Sequence, residues 1–430
     1  MQFYSTQNRK ALVGLREAVM RGLAPDNGLY MPCKINRLPA SFWKHWKTYS
    51  PVAVAYEIAS HCVGSEVPEN ALKKIVEHTV CFDVPLVPLE KSVWALELFH
   101  GPTLAFKDFG ARFMAGLLGF FARTEDQEIT ILVATSGDTG SAVAHGFHRV
   151  EGTRVIVLYP SGKVSDLQEK QFTTLGGNVT ALEVKGTFDD CQRMVKMAFQ
   201  DKDLNARLRI TSANSINMAR LIPQSFYYFF AVAQLDGNGP VAFSVPSGNF
   251  GNLTGGVLAM KMGLPVKCFI AATNSNDIVP AYLQSGKFLP RPSVPTISNA
   301  MDVGNPSNFE RLLDLFDHDF GEMTRTIKGY AFTDEETRRT IRSVYTSKKY
   351  VMDPHGAVAY LGLKKHQEME PNGEGIFLET AHPGKFREVV EEVITQELEI
   401  PERLKQFLFR KKNSKIIDNR FEGLKEFLMK

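Results

Sequence analysis

Cysteine is scarce in this sequence, and long apolar runs are missing. The five cysteines are scattered, with no C-x-x-C pair and no histidine at the spacing of a metal site. Dispersed cysteines in a chain of 430 residues indicate reduced thiols, not a disulfide framework. The apolar run 226–233 is far shorter than the roughly 20 residues that span a bilayer, and the N-terminus lacks the pattern of a secretory signal. These absences predict a cytoplasmic protein without a metal site or a membrane anchor.

An excess of charge of one sign is also missing. The formal net charge is +3, and the Lys/Arg pairs at 364–365 and 411–412 are short and not interleaved with aromatic residues. A nucleic-acid or membrane surface needs a larger basic patch, so we expect neither partner. Acidic ligands must then be bound by local groups. The length predicts two or three domains.

Short apolar strands alternate with helices of about ten residues from residue 91 onward. This alternation is typical of a parallel sheet with right-handed crossovers, which makes the fold class α/β. Before residue 91 the patterns are mostly helical, around one Pro/Gly-rich loop at 22–32. The predicted strands are 94–99, 129–134, 155–159, 179–184, 209–212, 241–245, 266–272 and 375–379.

One lysine, Lys107, lies between Phe106 and Phe109 directly after a Gly-Pro turn. Apolar neighbours lower the pKa of a lysine by desolvation, and the neutral amine is the nucleophile for Schiff-base chemistry. A lysine on a helix such as 105–121 is more often part of a solvated face. The functional interpretation therefore depends on the other segments of the chain.

The segment Ser247–Asn252 follows a predicted strand and opens a helix. Its two glycines let the backbone approach a ligand closely, and the first N–H groups of the helix are unpaired donors, so a phosphate monoester fits the site. It is neither a Walker A loop nor a dinucleotide-binding pattern. A plain strand-to-helix turn explains the glycines about equally well.

Three further segments place polar groups after strands. Thr135–Gly140 offers hydroxyl and N–H donors to a carboxylate, and Asp138 could orient a phenolate-type oxygen, although a helix cap would look the same. Asn214–Arg220 offers amide and guanidinium donors to a second anion, or else a cap and a surface arginine. Thr380 could hydrogen-bond a neutral ring nitrogen, whereas we interpret His382 as structural.

Taken in order, these segments resemble the threonine synthases, pyridoxal phosphate (PLP) enzymes of fold type II, the tryptophan synthase β-like fold. Five motifs in one order are far more specific than any one of them, and the resemblance spans nearly the whole chain. Gly384 is a departure, since the family motif His-Pro-Ala-Lys has alanine there. The matching segments are 100–108, 135–140, 214–220, 246–251 and 380–383, with further similarity at 24–30 and 299–302.

The resemblance implies how the cofactor would be held. Lys107 would bind PLP as a Schiff base and act as a general base. Asp138 would lie near the 3′-oxygen of the ring, and Thr380 would face the ring nitrogen. The cofactor phosphate would be wrapped by the loop residues Gly248, Asn249, Phe250, Gly251 and Asn252.

The resemblance also implies the substrate and its contacts. Thr135 and Ser136 would bind the substrate carboxylate, and Asn214 with Arg220 the substrate phosphate. The reaction would convert O-phospho-L-homoserine and water to L-threonine and phosphate, because phosphate leaves from Cγ and water adds at Cβ. We expect a monomer or homodimer.

Relatives with the same loops keep two alternatives open: a PLP-dependent phospho-lyase and a serine/threonine dehydratase, although a dehydratase would not need Arg220. A catalytically silent protein of this fold would have lost Lys107 or the glycine loop, and both are present.

The resemblance finally implies a division of the chain into two open, mostly parallel sheets flanked by helices, together with terminal segments. The large PLP-binding domain would comprise residues 91–125 and 210–400, and the small α/β domain residues 126–209. Residues 1–90 would form a mostly helical N-terminal domain, and residues 401–430 a helical tail.

Overall fold

The computed structural model describes residues 1–237 and 239–430. Its strands, in chain order, are β1 (Gln2–Ser5), β2 (Asn8–Gly14), β3 (Tyr30–Pro32), β4 (Leu86–Glu90), β5 (Val93–Glu97), β6 (Ile129–Ala134), β7 (Thr153–Pro160), β8 (Val179–Lys185), β9 (Arg209–Ser212), β10 (Val241–Pro246), β11 (Val266–Thr273), β12 (Ile327–Ala331), β13 (Gly375–Glu379) and β14 (Lys415–Asp418).

The α-helices, in the same order, are α1 (Leu15–Arg21), α2 (Ala40–His45), α3 (Pro51–Val63), α4 (Glu69–Thr79), α5 (Lys107–Ala122), α6 (Asp138–Phe147), α7 (Asp166–Thr173), α8 (Phe188–Gln200), α9 (Lys202–Arg207), α10 (Met218–Leu221), α11 (Phe226–Ala233), α12 (Gly251–Lys261), α13 (Ile278–Ser285), α14 (Phe309–Leu315), α15 (Phe320–Thr326), α16 (Asp334–Lys348), α17 (Pro354–Met369), α18 (Arg387–Ile394), α19 (Glu402–Leu408) and α20 (Phe421–Met429). Short 3₁₀ helices lie at Trp46–Thr48, Gly64–Glu66, Ile222–Ser225, Asn299–Met301 and Pro383–Phe386. In the part of the chain so described, no helix is both long and apolar enough to cross a membrane.

The larger sheet has the strand order β12-β11-β10-β13-β5-β4 and is parallel except at β4. Every residue of β10 and β13 is buried, as expected when helices cover both faces of a parallel sheet. The carboxyl ends of β5, β10 and β13 meet at one edge. This edge therefore brings together the loop before α5, the glycine loop before α12 and the residues that follow β13.

The smaller sheet has the order β14-β8-β7-β6-β9 and is parallel throughout. β9 pairs with β6 of this sheet, whereas the predicted boundary at residue 210 would place most of β9 in the large domain. β14 pairs with β8, whereas the tail was predicted to be helical. A strand pattern identifies a strand but not its partner, because pairing depends on contacts that are distant in sequence.

The first 90 residues contain a three-stranded antiparallel sheet, β2-β1-β3, that the helical expectation missed. β2 is mostly exposed and therefore lacks the alternation that marks a half-buried strand. The helices of this segment pack mainly on α5 and α11. The N-terminal segment thus supports the helix that begins with Lys107.

Pro223 interrupts the helical segment that follows β9. The structure has α10, a 3₁₀ turn at Ile222–Ser225 and α11, because proline offers no N–H to an α-helical ladder. The break separates the apolar α11 from the short α10. Arg220 lies in α10 and is only 4% exposed.

Helix α12 packs so closely that two of its residues have to be glycine. A methyl group on Gly255 would lie 2.8 Å from backbone atoms of Gln224, and one on Gly256 would lie 2.5 Å from the Phe269 ring and 2.7 Å from the Tyr228 ring. This approach fixes the start of α12, and with it the preceding glycine loop, against the sheet.

Replacing Gly256 by alanine should lower the melting temperature, because overpacking of a core costs about 1–3 kcal/mol. Gly423→Ala is the matched control: Gly423 lies in α20 with open space around it, where alanine should stabilise a helix by about 1 kcal/mol. Scanning calorimetry of both variants tests the prediction. A melting temperature of Gly256→Ala at or above that of the wild type would contradict it.

Candidate active site

A cavity opens at the edge where the two sheets bring the ends of β6, β10 and β13 together. Its wall also includes the first turns of α5 and α12 and the turn Asn299–Met301. Thr135 and Asp138 are buried and are not part of this wall. The other predicted site residues all line the cavity: Lys107, Ser136, Asn214, Arg220, Gly248, Asn249, Phe250, Gly251, Asn252 and Thr380.

Lys107 is the first residue of α5, and the loop before it is fastened to the end of β13. Phe106 N–H donates to the Thr380 carbonyl oxygen at 2.9 Å, and His382 N–H to that of Leu104 at 3.0 Å. The Lys107 amine makes no hydrogen bond within the described chain, and its ion-pair partner, Asp138 Oδ2, is 4.0 Å away. Burial lowers the pKa of Lys107 to about 8. The neutral, nucleophilic amine is therefore accessible near neutral pH.

Asp138 is the first residue of α6 and lies between two lysines. Its Oδ1 is 2.6 Å from Lys385 Nζ and accepts a hydrogen bond of 2.8 Å from Gln168 Nε2. Burial alone would raise the pKa of Asp138, but the charges of Lys385 and Lys107 hold it well below its usual range. Asp138 is thus a permanent anion beside Lys107.

Lys385 and Gln168 were not among the predicted site residues. Lys385 is the lysine that closes the family motif His-Pro-Ala-Lys, so that motif was a signal for it. Gln168 lies within α7 and has no signal in a single sequence, since its contact with Asp138 is known only once the fold is known.

The glycine loop connects the end of β10 to α12. Phe250 has a left-handed backbone (φ 61°, ψ 13°), which is uncommon for a residue with a side chain, and as the N-cap residue it gives α12 no side-chain cap, although Asn252 Oδ1 accepts from the Leu253 N–H. Asn252 holds the loop in place, because its Nδ2 donates to the Pro246 carbonyl oxygen at 2.7 Å and its Oδ1 accepts from Ser247 Oγ at 3.1 Å. The first N–H groups of α12 are left as donors for an anion.

The turn Asn299–Met301 packs directly on Gly248. A methyl group on Gly248 would lie 2.8 Å from the Ala300 carbonyl oxygen, so only glycine fits. Ala300 N–H donates to His355 Nε2 at 3.3 Å, and His355 Nδ1 lies 2.5 Å from Asp353 Oδ1. His355 lines the cavity and was not predicted either.

Arg220 supplies the cationic side of the cavity. Its Nη1 donates to the Ala213 carbonyl oxygen at 2.6 Å, but its Nε is buried without a partner in the described chain. It packs on α5 one turn after Lys107, where a methyl group on Gly110 would lie 2.7 Å from the Nε atom. Burial lowers the pKa of Arg220 to about 10, so the guanidinium stays charged at neutral pH.

Asn214 and Thr135 hold backbone groups in this structure. Asn214 Nδ2 donates to the Ala134 carbonyl oxygen at 3.0 Å, which ties the loop after β9 to the end of β6. Thr135 Oγ1 accepts from the N–H groups of Gly137 at 2.9 Å and Gly140 at 2.8 Å. Thr135 therefore shapes the loop from behind, and Ser136 is the hydroxyl that reaches the cavity.

The cavity fits PLP on the evidence of its own groups. The Lys107 amine has no hydrogen bond to give up, and the start of α12 has unused donors for a phosphate. Thr380 lines the cavity and makes no side-chain hydrogen bond within the described chain. A hydroxyl at that position can hydrogen-bond a neutral ring nitrogen.

Comparisons with known proteins agree along the whole chain. A family model described as pyridoxal-phosphate dependent enzyme matches residues 79–378, and models for the threonine synthase N terminus and C-terminal region match residues 2–80 and 356–428. The threonine synthase of Serratia marcescens is 44% identical over 431 residues, covering 100% of this chain and 99% of that protein.

Solved structures give the same result. The crystal structure of threonine synthase from Escherichia coli superposes with a TM-score of 0.94 at 42% identity, covering 100% of this chain and 99% of that chain. PLP-bound threonine synthase from Brucella melitensis superposes with a TM-score of 0.92 at 33% identity, covering 100% and 98%. These matches confirm the predicted fold class and the predicted cofactor. The chain belongs to the threonine synthase family of pyridoxal-phosphate-dependent enzymes.

Proposed function

We propose that this chain converts O-phospho-L-homoserine and water to L-threonine and phosphate. One observation carries the proposal: a single cavity holds the mostly buried Lys107 amine, the first N–H groups of α12 and, apart from both, the buried Arg220 with a spare N–H. The first two can hold PLP by its aldehyde and its phosphate. The third is then left for a second phosphate, which a phosphorylated amino acid has and a hydroxy amino acid lacks.

The two phosphate sites would differ in their electrostatics. At α12 the donors are backbone N–H groups of the glycine loop residues 248–252, which need no counter-ion of their own. At Arg220 the donor is a formal charge, and Asn214 lies beside it on the cavity wall. A guanidinium in a dry site binds a phosphate dianion strongly because both partners are charged.

PLP, when bound, supplies an electron sink that stabilises negative charge developing on the substrate carbons. Lys107 would hold it and, once the substrate has taken its place, would move protons between the substrate carbons as a general base. The C–O bond at Cγ breaks with loss of phosphate, the oxygen of water bonds to Cβ, and Cγ gains the proton that completes the methyl group. A neutral lysine amine is suited to these transfers, and neutrality is favoured above pH of about 8.

The remaining contacts follow from the placement of the side chains. Ser136 and the N–H groups at the start of α6 would bind the substrate carboxylate, with Thr135 holding that loop in shape. Asp138 would lie near the 3′-oxygen of the ring, since it faces the amine that holds the ring, and Thr380 would face the ring nitrogen. The turn Asn299–Met301 would cover the cofactor phosphate loop.

The direct test is to incubate the purified holoenzyme with O-phospho-L-homoserine and to assay phosphate, threonine and 2-oxobutyrate together. Equal amounts of phosphate and threonine are expected. Phosphate with 2-oxobutyrate in place of threonine would mean that water is not delivered to Cβ and that the chain is a phospho-lyase. L-serine and L-threonine as substrates provide the comparison for a dehydratase.

Lys107→Ala should lose turnover and the visible absorbance of bound PLP, because no amine remains to hold the aldehyde or to move protons. Lys163→Ala is the control, since Lys163 is exposed, and it should leave both properties unchanged. Turnover by Lys107→Ala at a rate near that of the wild type would remove Lys107 from the mechanism.

Arg220→Ala should weaken binding of the phosphorylated substrate far more than binding of L-homoserine, which lacks the phosphate. Loss of one partner of a buried charge pair costs about 2–5 kcal/mol, or on the order of a hundredfold in affinity. Steady-state kinetics and competitive inhibition by L-homoserine measure the two effects. Arg112→Ala is the control, because Arg112 lies on α5 outside the cavity wall and donates to the His78 carbonyl oxygen. Equal losses for both ligands would show that Arg220 does not bind the phosphate.

A further inference from the structure

Lys385 is a fully buried cation that the proposed reaction does not use. It lies in the 3₁₀ turn Pro383–Phe386, and its side chain has 0% exposure. Its amine contacts Asp138 Oδ1 at 2.6 Å and donates to the Thr103 carbonyl oxygen at 2.9 Å. A buried lysine is costly unless its charge is compensated, and Asp138 is the group that compensates it.

Only one of the two carboxylate oxygens of Asp138 is bound by Lys385 and Gln168. Lys385 and Gln168 both bind Oδ1, whereas Oδ2 faces the Lys107 amine across 4.0 Å. Without Lys385, this carboxylate would be an uncompensated anion next to Lys107. A buried anion at that distance would favour the protonated lysine, which cannot act as a nucleophile.

A second cation near Lys107, Arg220 on α10, also has a compensating neighbour. This neighbour is Asp108 on α5, a carboxylate that accepts hydrogen bonds from the N–H and the hydroxyl of Thr103. With Lys107 neutral, the two cations Lys385 and Arg220 face the two carboxylates of Asp138 and Asp108. Protonation of Lys107 would leave this dry cluster with an excess positive charge.

Two further titratable groups, His355 and Asp302, lie on the cavity wall and are bound by other neighbours. His355 Nδ1 hydrogen-bonds Asp353, and its Nε2 accepts from the Ala300 N–H. Asp302 accepts hydrogen bonds from Asn274, Asn276 and Thr296, and burial raises its pKa to about 6.

We propose that Lys385 is a positioning residue that neutralises Asp138 and so makes the uncharged, reactive form of the Lys107 amine easier to reach. The inference rests on the proposed role of Lys107 as the reactive amine. It assigns the buried ion pair a purpose that stability does not require, since a buried pair is often no more stable than apolar residues of the same size. Lys385 is not part of the cavity wall and would act through Asp138.

The charge model makes opposite predictions for the two partners of the pair. Lys385→Met leaves the Asp138 anion beside Lys107, so the pKa of Lys107 should rise. Asp138→Asn leaves the Lys385 cation unpaired, so the pKa of Lys107 should fall. The double variant removes both charges and should return the pKa towards that of the wild type, as should Lys385→Arg, which keeps the charge.

The test measures the titration of Lys107 itself. The full-length, cofactor-free chain is reductively methylated with formaldehyde and cyanoborohydride between pH 6 and 10, and the rate at Lys107 is read by peptide mass spectrometry with Lys163 as the internal reference. Wild-type reactivity should rise with pH through about 8. Lys385→Met should react about tenfold more slowly at pH 7, the factor for a pKa raised by one unit, and Asp138→Asn faster than wild type.

A second readout is the pH profile of kcat/KM of the PLP-loaded enzymes, whose acid limb should move in the same two directions. Opposite shifts of Lys107 in the two single variants, cancelled in the double variant, would support the proposal. Shifts in the same direction, or no shift in a variant with native circular dichroism, would overturn it and leave Lys385 a structural role. If Lys385→Met does not fold, Asp138→Asn and the double variant decide. The product assay of the wild type tests the proposed reaction separately, so either idea can fail alone.

Discussion

The Lys107 amine is mostly buried and makes no hydrogen bond within the described residues, and much of the surrounding structure maintains that state. The loop before α5 is fastened to the residues that follow β13, so Lys107 stands at the junction of the two sheets with little freedom to reach another acceptor. Its ion-pair partner, Asp138, is already bound by Lys385 and Gln168. Desolvation can therefore lower the pKa of Lys107 without being offset by a tight ion pair.

The need to keep the pKa of Lys107 low also explains why the glycine loop contains no lysine or arginine. A lysine placed there would bind a phosphate more strongly, but it would also add a charge to a cavity that is balanced when Lys107 is neutral. Backbone N–H groups at the start of α12 provide donors at no such cost. They can do so only because Gly255 and Gly256 let the helix lie directly against its neighbours and hold the loop in place.

Single strands and the loops that follow them were predictable because their signals come from residues that are adjacent in the sequence. The bounds of β6, β9 and β13 agree with the predicted strands at 129–134, 209–212 and 375–379. The exposed strand β2 and the partners of β9 and β14 were not predictable, since they depend on long-range pairing that leaves no local pattern.

The candidate site likewise contains some residues that could be predicted from the sequence and some that could not. Residues on strand ends and helix starts, such as Lys107 and Gly248, could be proposed from spacing and resemblance, and they meet at the cavity. Thr135 could not be distinguished from a helix cap, and in the structure its hydroxyl holds backbone N–H groups. The contact of Gln168 with Asp138 joins two helices, and no pattern of neighbouring residues in the sequence indicates it.

Positions 138 and 385 have to be considered as one unit. An anion at 138 without its cation would draw a proton onto Lys107, and a cation at 385 without its anion would be an unpaired charge in a dry site. Either change alone is therefore worse than both together. Asparagine at 138 would leave the Lys385 cation with the Thr103 carbonyl oxygen, which lies 2.9 Å away and carries no full charge to replace the carboxylate. The identity of residue 138 is thus set by a side chain almost 250 positions later in the chain, through one ion pair of 2.6 Å.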